Sequence, residues 1–334
     1  MQQGEQQATT AGSVVGRAPA PLDRGARVYI AGHRGLVGSA IHRHLAAQGF
    51  TRLLGVPSSE LDLRDRTAVQ RFFEANRPQV VVLAAARVGG IWANATHPAD
   101  FLSDNLRIQT NVLDAAHDVD VERLLFLGSS CIYPRLAPQP IPESALLGGP
   151  LEPTNEAYAI AKIAGLLHVS AMRRQHGHRW ISAMPTNLYG PGDTFDPARS
   201  HVLPAMIRRF HTARASGART VTIWGTGTPR REFLHVDDLA AACLHLLDHY
   251  DDDVAINVGT GSDVSIRELA ELIAEIVGWS GTMAFDPSKP DGTPRKLLDV
   301  SALDRLGWKA AVPLADGIAA TYAWYLAHQA ERGT

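Results

Sequence analysis

The chain has 334 residues, of which 45% are hydrophobic and 20% are charged, and this composition is ordinary for a globular protein. Its formal net charge of −2 at pH 7 argues against nucleic acid as the main partner. No apolar run approaches the roughly 20 residues that cross a membrane, which argues against a membrane protein. The two cysteines, Cys131 and Cys243, imply no disulfide framework. We therefore expect a protein of a reducing compartment, the cytoplasm.

Residues 1–24 are rich in Gln, Gly, Ala, Thr and Pro. They lack both the basic start and the apolar block of a signal peptide. We interpret them as a disordered tail that precedes the fold.

A strand, a glycine-rich turn and a helix are predicted in succession after this tail. The apolar run at 26–30 is typical of a buried strand, and a helical pattern follows the turn up to Leu45. Glycines in this setting permit a tight turn and let a pyrophosphate approach the backbone at the start of the helix. An ordinary connector is the alternative. We interpret the turn as a dinucleotide site made of Gly32, His33, Arg34, Gly35, Leu36, Val37 and Gly38.

The end of the second predicted strand, 52–56, bears on the choice of coenzyme. NAD sites usually place an acidic residue there to hold the ribose hydroxyls. Here the chain reads Val-Pro-Ser-Ser over 56–59, with no carboxylate before Glu60. This favours NADP(H), and Arg34, Ser58 and Ser59 are the candidate partners of its 2′-phosphate.

Strands and helices continue to alternate along the chain. A helix is predicted at 65–76, a strand at 80–83, a helix at 98–118 and a strand at 124–127. This alternation predicts an α/β fold with a Rossmann-type, doubly wound parallel sheet whose ligands lie beyond the carboxyl ends of the strands.

We expect two lobes in this fold. The sequence predicts a coenzyme-binding domain over 25–190, with 231–260 returning to its sheet through a helix and a strand at 255–258. A smaller C-terminal α/β lobe for substrate is predicted over 191–230 and 261–330.

Tyr158 and Lys162 are four residues apart, so on a helix both side chains leave the same face. A nearby ammonium group is expected to lower the pKa of the phenol, so that the pair can pass a proton to a carbonyl oxygen. Ser129 follows the fourth strand and could supply a second donor to that oxygen. If 128–134 is extended, Ser129 and Cys131 share one cleft. The alternatives are a solvated helix face and a strand-end turn residue.

Several longer motifs resemble one family, the GDP-L-fucose synthases. They are GSSCIYP (128–134), LEPTNEAYAIAKIAG (151–165), PTNLYGPGD (185–193), REFLHVDDLA (231–240) and SKPDGTPRKLLDV (288–300). That family belongs to the extended short-chain dehydrogenase/reductases. It converts GDP-4-keto-6-deoxy-D-mannose into GDP-L-fucose with NADPH, by 3,5-epimerisation and 4-keto reduction. The resemblance extends from about Arg27 to Tyr325.

The resemblance implies roles for five catalytic residues. Ser129, Tyr158 and Lys162 would form the reductase triad, and Cys131 and His201 the acid–base pair for epimerisation. From the sequence alone, a residue such as Cys131 is more often a buried apolar residue than a catalyst, and a surface or capping role is the default for His201. Besides the glycine turn and Ser58, we expect coenzyme contacts at Leu127, Gly128, Ser129, Ser130, Lys162, Pro185, Thr186, Asn187, Leu188 and His201.

The substrate lobe carries side chains suited to a GDP-sugar. Arginine forks match the pyrophosphate, and tryptophan can cover a ring. A solvated surface charge or a core aromatic residue is the alternative for each candidate. No metal-ligand cluster stands out in the sequence, and the resemblance implies a homodimer through helices around Asn105 and Ile163. The candidate substrate-binding residues are Arg209, Trp224, Arg231, Asp291 and Lys296.

Three rival interpretations remain at this point. A nucleotide-sugar 4-epimerase would use the same triad without Cys131 and His201 and would retain NAD. A 4,6-dehydratase carries an Asp-Glu pair where Ser130 and Cys131 stand. A non-catalytic dinucleotide-binding scaffold commonly loses the Tyr-Lys pair. The GDP-L-fucose synthases usually have an arginine near Ser58, so its absence predicts a looser preference for NADPH over NADH.

Overall fold

The computed structural model describes residues 19–196, 200–289 and 291–328. The predicted tail lies outside these ranges except for residues 19–24. The strands of the described residues are β1 Arg27–Ala31, β2 Arg52–Leu54, β3 Val80–Leu83, β4 Arg123–Leu127, β5 Arg179–Pro185, β6 Asn187–Tyr189, β7 Thr220–Trp224, β8 Arg230–Arg231, β9 Phe233–His235, β10 Ile256–Val258, β11 Val264–Ser265, β12 Thr282–Asp286 and β13 Arg295–Lys296. The helices of the same residues are α1 Leu36–Ala47, α2 Arg66–Asn76, α3 Ile91–Thr96, α4 Pro98–Asp118, α5 Glu156–His176, α6 Val202–Ser216, α7 Val236–His249, α8 Ile266–Val277, α9 Ser301–Arg305 and α10 Leu314–Ala327.

A six-stranded parallel sheet, in the order β10-β5-β4-β3-β1-β2, is the centre of the described structure. Alternate residues of each strand point to opposite faces, and both faces are buried. In β1, Val28 and Ile30 join the core on one face, whereas Tyr29 joins the core on the other. The predicted Rossmann-type doubly wound α/β fold is confirmed.

Helices cover both faces of this sheet. Residues of α1 and α7 belong to the core that contains Val28, and residues of α2, α4 and α5 belong to the core that contains Tyr29. The strand expected at 255–258 is β10, which pairs with β5 from Ile256 opposite Ala183 to Val258 opposite Pro185. The chain thus returns to the sheet after α7.

A third apolar core lies in the C-terminal part of the chain. Phe210 of α6, Ile273 of α8 and Ile318 of α10 are fully buried in it. The strands β7 and β12 form a parallel pair, while β8 lies between β11 and β13. Arg231 of β8 stands opposite Lys296 of β13 in this small sheet.

The local structure differs from the sequence-based prediction at three places. β2 ends at Leu54 rather than at residue 56, and the short helix α3 was not predicted. Residues Ser130–Ile132 form one 3₁₀ turn, so the prediction of an extended segment over 128–134 was wrong. The Ser129 hydroxyl accepts a hydrogen bond from the backbone N–H of Cys131, and this local bond stabilises the turn.

The helices of the described residues are all too short or too polar to serve as a membrane span.

Three histidines lie close together where α4 and α5 end and β5 begins. His117 Nδ1 and His178 Nε2 share one hydrogen bond of 2.8 Å, and the ring of His176 lies 4.3 Å from that of His117. Burial lowers the pKa of His178, and the positive charges of His117 and His176 lower it further. The negative charge of Asp120 acts in the opposite direction. The folded protein therefore binds protons here less readily than the unfolded chain does.

We predict that this cluster makes stability depend on pH. Its contribution is present above the ordinary histidine pKa of about 6.5 and is lost as the pH falls through the lowered pKa. The free energy of unfolding in urea, measured at pH 7.5 and pH 5.5, should fall less for His178→Gln than for the parent. His97→Gln, at an exposed position, should retain the parental dependence. Equal losses in all three proteins would contradict the prediction.

Candidate active site

Lys162 fixes α5 to the end of β4. Its side chain is buried, and its Nζ donates a hydrogen bond of 2.7 Å to the carbonyl of Leu127. Burial lowers the pKa of Lys162 to about 8. Nζ lies 6.0 Å from the centre of the Tyr158 ring, so the ammonium group stands beside the phenol without bonding to it.

Tyr158 lies one turn before Lys162 on the same face of α5. Its ring packs edge-on against that of Phe101, with the ring centres 6.5 Å apart. Burial raises the pKa of its phenol, the negative charge of Cys131 raises it further, and a hydrogen bond with Ser129 opposes both effects. The expectation that Lys162 lowers this pKa was therefore wrong. The desolvation of the phenolate outweighs the attraction of an ammonium group that is bonded to a carbonyl instead.

Ser129 and Cys131 stand at the carboxyl end of β4, next to Tyr158. The Ser129 oxygen accepts the N–H of Cys131 at 3.2 Å, which leaves the hydroxyl proton available for another oxygen. The charge of Cys131 acts on Tyr158, so the three side chains share one site. The predicted grouping of Ser129 with Cys131 is thus present, but it results from a 3₁₀ turn rather than from an extended strand.

Two cations approach the thiol of Cys131 from the small sheet. Lys296 Nζ lies 3.6 Å from Sγ, and the pKa of Arg231, lowered mainly by burial, is partly raised by the charge of Cys131. Cys243, in contrast, is buried in α7, and burial raises the pKa of its thiol to about 12. Cys243 is a core residue, as expected, and Cys131 is partly exposed.

His201 directly precedes α6 and is exposed, with no capping hydrogen bond from its side chain. The surrounding protein nevertheless lowers its pKa by desolvation. The side chain is thus accessible to solvent and yet surrounded by protein atoms. The backbone oxygen of Ser200 lies against Gly90, where an added Cβ would come within 3.2 Å of it, so the start of α6 adjoins the loop after β3. In the described part of the chain, no hydrogen bond joins His201 to Cys131 or Tyr158.

The glycine turn provides a backbone cradle between β1 and α1. Gly32 has φ +87°, and a Cβ there would lie 2.9 Å from the backbone of Ala85. A Cβ on Gly38 would overlap the Gly32 carbonyl oxygen. Only glycine fits these two positions, and the resulting close packing suits a pyrophosphate at the start of a helix.

The other predicted coenzyme residues follow the ends of neighbouring strands. Leu127 ends β4 and Gly128 follows it, Pro185 ends β5, and Ser58 is exposed after β2. Thr186 and Asn187 both donate side-chain hydrogen bonds to the carbonyl of Glu232, which fixes them beside β5. Ser130 is buried, and Leu188 lies in β6.

The predicted substrate residues follow β6 in the chain, with Arg209 in α6 and Trp224 at the end of β7. Arg209 donates to the carbonyl of Thr222, and burial lowers its pKa. Trp224 is 58% exposed, with Lys289 Nζ 5.7 Å from its ring centre.

Asp291 makes hydrogen bonds with two neighbouring segments of the chain. Its carboxylate accepts hydrogen bonds of 2.8 Å from both the N–H and the hydroxyl of Thr226. Its carbonyl accepts from Arg231 at 3.4 Å. Asp291 therefore ties together the two loops that flank Trp224 and Lys296.

Glu232 is a buried acid to which the sequence interpretation gave no role. Its carboxylate is buried and accepts hydrogen bonds from the N–H groups of Thr260 at 2.6 Å, Gly261 at 2.8 Å and Leu298 at 3.0 Å. Burial raises its pKa, while these bonds act to lower it. An acid directly before Phe233 and Leu234 of the buried strand β9 was the available signal.

Known proteins resemble the chain over most of its length. The family model for the NAD dependent epimerase/dehydratase family matches residues 28–259. A probable GDP-L-fucose synthase 1 of Oryza sativa subsp. japonica is 61% identical over 305 residues, covering 91% of this chain and 93% of the relative. The GDP-L-fucose synthase of Escherichia coli (strain K12) is 55% identical over 312 residues, covering 91% and 97%. The solved structure of a GDP-L-fucose synthetase from Naegleria fowleri bound to NADP has a TM-score of 0.87 at 29% identity, covering 96% and 98%.

The parallel sheet, the glycine turn and the Tyr158–Lys162 pair define a nicotinamide-dependent dehydrogenase/reductase. The chain belongs to the NAD dependent epimerase/dehydratase family and, within it, to the GDP-L-fucose synthases. It is an enzyme that makes GDP-L-fucose by epimerase and reductase activity. The resemblance inferred from the sequence motifs is confirmed.

We predict that Glu232 holds Lys296 in place through the backbone of Leu298. Glu232→Gln removes one acceptor from buried N–H groups and should lower the free energy of unfolding by about 1–3 kcal/mol. It should also raise KM for the GDP-sugar more than it lowers kcat. Glu268→Gln, at an exposed carboxylate, is the control and should change KM little. An unchanged stability and KM in Glu232→Gln would refute this role.

Proposed function

We propose that this enzyme acts on GDP-4-keto-6-deoxy-D-mannose, inverts carbons 3 and 5 of the sugar and then reduces carbon 4, with NADPH as the reductant. The observation that carries the proposal is the convergence of Ser129, Cys131 and Tyr158 at the end of β4. The hydroxyls of Ser129 and Tyr158 can both donate to the ketone oxygen of a substrate. The thiol of Cys131 stands beside them and can exchange a proton with a carbon next to that ketone.

The ketone at carbon 4 is the feature that both reactions use. It acidifies the hydrogens on carbons 3 and 5, because the resulting carbanion is delocalised onto the ketone oxygen as an enolate. Tyr158 and Ser129 donate hydrogen bonds to that oxygen and stabilise its negative charge. The raised pKa of Tyr158 supports this role, because it keeps the proton on the phenol until it is needed.

Inversion needs groups that remove a proton from one face of the ring and return one to the other. Cys131 and His201 take these roles in our proposal. A thiol and an imidazole have ordinary pKa values of about 8.5 and 6.5, near enough to neutrality for both tasks. The lowered pKa of His201 keeps its imidazole neutral at pH 7 and able to accept a proton.

Reduction then completes the reaction at the same carbonyl. NADPH supplies a hydride to carbon 4 when it is bound. Tyr158 gives its proton to the oxygen, so that the ketone becomes a secondary alcohol and a phenolate remains. The buried ammonium group of Lys162, close to the phenol ring, stabilises that phenolate until a proton returns from solvent.

The GDP group carries two phosphate charges and a planar base. We assign Arg209, Arg231 and Lys296 to the phosphates, because guanidinium and ammonium groups form charge-assisted hydrogen bonds with them. Trp224 covers a ring with its exposed indole. Asp291 acts indirectly, by holding Thr226 and the loop next to Trp224.

We further propose a cytoplasmic homodimer with two lobes, a coenzyme domain over 25–190 and 231–260 and a substrate lobe from the rest of the fold. Asn105 and Ile163 are buried within the protomer, so they cannot themselves meet a second copy. On the outer face of α5, Ile160 is 42% exposed and Leu167 is 48% exposed, and they stand two turns apart. The reduced thiol that Cys131 needs supports the cytoplasm.

The experiment that tests this function separates epimerisation from reduction. In D₂O with the keto-sugar and no coenzyme, the parent enzyme should exchange the hydrogens on carbons 3 and 5. In Cys131→Ser, this exchange, followed by NMR, should slow by about 10²–10⁴-fold, because the hydroxyl is a far weaker acid–base group. Any NADPH that Cys131→Ser oxidises should yield an incompletely inverted sugar.

Cys243→Ala is the matched control, because that thiol is buried away from the site, and it should exchange like the parent. Exchange at the parental rate in Cys131→Ser would contradict the role of Cys131. If the parent oxidises NADPH without any exchange at carbons 3 and 5, the enzyme reduces carbon 4 but does not epimerise the sugar.

A further inference from the structure

A histidine, rather than a residue of β2, occupies the space at the carboxyl end of β2. A Cβ added to Gly55 would overlap the imidazole of His33, so this ring lies across the position of the missing side chain. In dinucleotide-binding folds, the end of the second strand faces the 2′ position of the adenosine ribose. His33 therefore stands where the coenzyme is selected.

A second histidine is brought to the same place by helix geometry. Gly38 lies on the face of α1 that touches the glycine turn, since a Cβ there would be 2.9 Å from the Cα of His33. His42 follows Gly38 by four residues and so projects from the same face one turn later. The partly exposed ring of His33 thus lies between α1 and Gly55 at the β2 end.

The groups that face His33 are positive or neutral. Burial lowers its pKa, and the charges of Arg34 and His42 lower it further; among the described residues, no carboxylate acts in the opposite direction. The loop after β2 presents Ser58 and Ser59, and the first acid in it is Glu60.

The neighbouring basic residues of α1 face elsewhere. His44 and Arg43 both interact with Asp237 of α7. Of the basic residues described in the glycine turn and α1, His33, Arg34 and His42 therefore remain as the cluster at the end of β2.

We propose that His33, Arg34 and His42 form the pocket for the 2′-phosphate of NADPH, with the His33 imidazole becoming protonated as the phosphate binds. This inference rests on the proposed use of NADPH. The imidazolium charge of His33 supplies what an arginine after β2 would otherwise provide. A phosphate dianion favours the charged form of this ring, so binding takes up a proton from solvent.

The pocket makes coenzyme selection depend on pH. At pH 8 the free imidazole of His33, with its lowered pKa, is neutral, and Arg34 supplies the attraction to the 2′-phosphate. As the pH falls towards 6.5, protonation costs less and the phosphate, whose second pKa is about 6, is still largely a dianion. The preference for a 2′-phosphorylated ligand therefore grows as the pH falls through this range.

Calorimetric titration of the full chain with adenosine 2′,5′-bisphosphate and with AMP tests the proposal without any catalysis. From pH 8 to pH 6.5 the affinity for the bisphosphate should rise by about tenfold or more, and the affinity for AMP should change little. Titrations in buffers of different ionisation enthalpy should reveal net proton uptake for the bisphosphate only.

Three variants complete the test. His33→Gln should reduce both the proton uptake and the pH dependence of bisphosphate binding. His44→Gln, a control at a nearby histidine of α1, should behave like the parent. Ser58→Arg introduces a permanent charge at the end of β2, so it should tighten bisphosphate binding at pH 8 and flatten the pH dependence.

A bisphosphate affinity that does not change with pH, or a proton uptake equal in His33→Gln and the parent, would overturn the proposal. A bisphosphate that binds no tighter than AMP at either pH, in an enzyme that turns over with NADH, would overturn it while the synthase activity stands. The expected binding profile in a protein that leaves the keto-sugar unchanged would support the pocket and refute the proposed function.

Discussion

The hydrogen bond from Lys162 to the carbonyl of Leu127 is the contact on which the site depends. A buried ammonium group is costly unless a strong acceptor compensates for its lost hydration, and the last carbonyl of β4 serves as that acceptor. The bond fixes one turn of α5 at the strand end, so Tyr158 is placed beside Ser129. The same burial that gives Lys162 a pKa of about 8 raises the pKa of Tyr158. In consequence, the phenol of Tyr158 keeps its proton until it donates it. The ammonium group of Lys162 then stabilises the resulting phenolate.

The second half of the site comes from a different part of the chain. Arg231 and Lys296 lie opposite each other in the small sheet and bring two positive charges to Cys131. Glu232 fastens this sheet to the loop after β10 through buried hydrogen bonds. We infer that the phosphates of the substrate and the thiol of Cys131 are held by one cationic unit, so that docking of the GDP group also places the sugar ring against the thiol.

Much of the fold could be predicted from the sequence, because it follows from local patterns. The apolar runs of β1, β3 and β4 are long enough to be recognised as strands buried on both faces, and the glycines at 32 and 38 mark a close approach of backbones. The spacing of Tyr158 and Lys162 was sufficient to place both side chains on one helix face.

The remaining features depend on contacts between distant residues. The pKa of Tyr158 is set by burial, which its neighbours in the sequence do not reveal. Glu232 bonds to Leu298 across 66 residues. The approach of His33 to Gly55 requires β1 and β2 to pair in their observed register.

One ketone serving two successive reactions is the central claim of this account. The measurement that tests it most directly is the isotope pattern of the product made by the parent enzyme from the keto-sugar and NADPH in D₂O, read by NMR. The account predicts GDP-L-fucose with deuterium on carbons 3 and 5 and with the hydrogen of the coenzyme on carbon 4. A product reduced at carbon 4 whose carbons 3 and 5 keep their original hydrogens and configuration would contradict it.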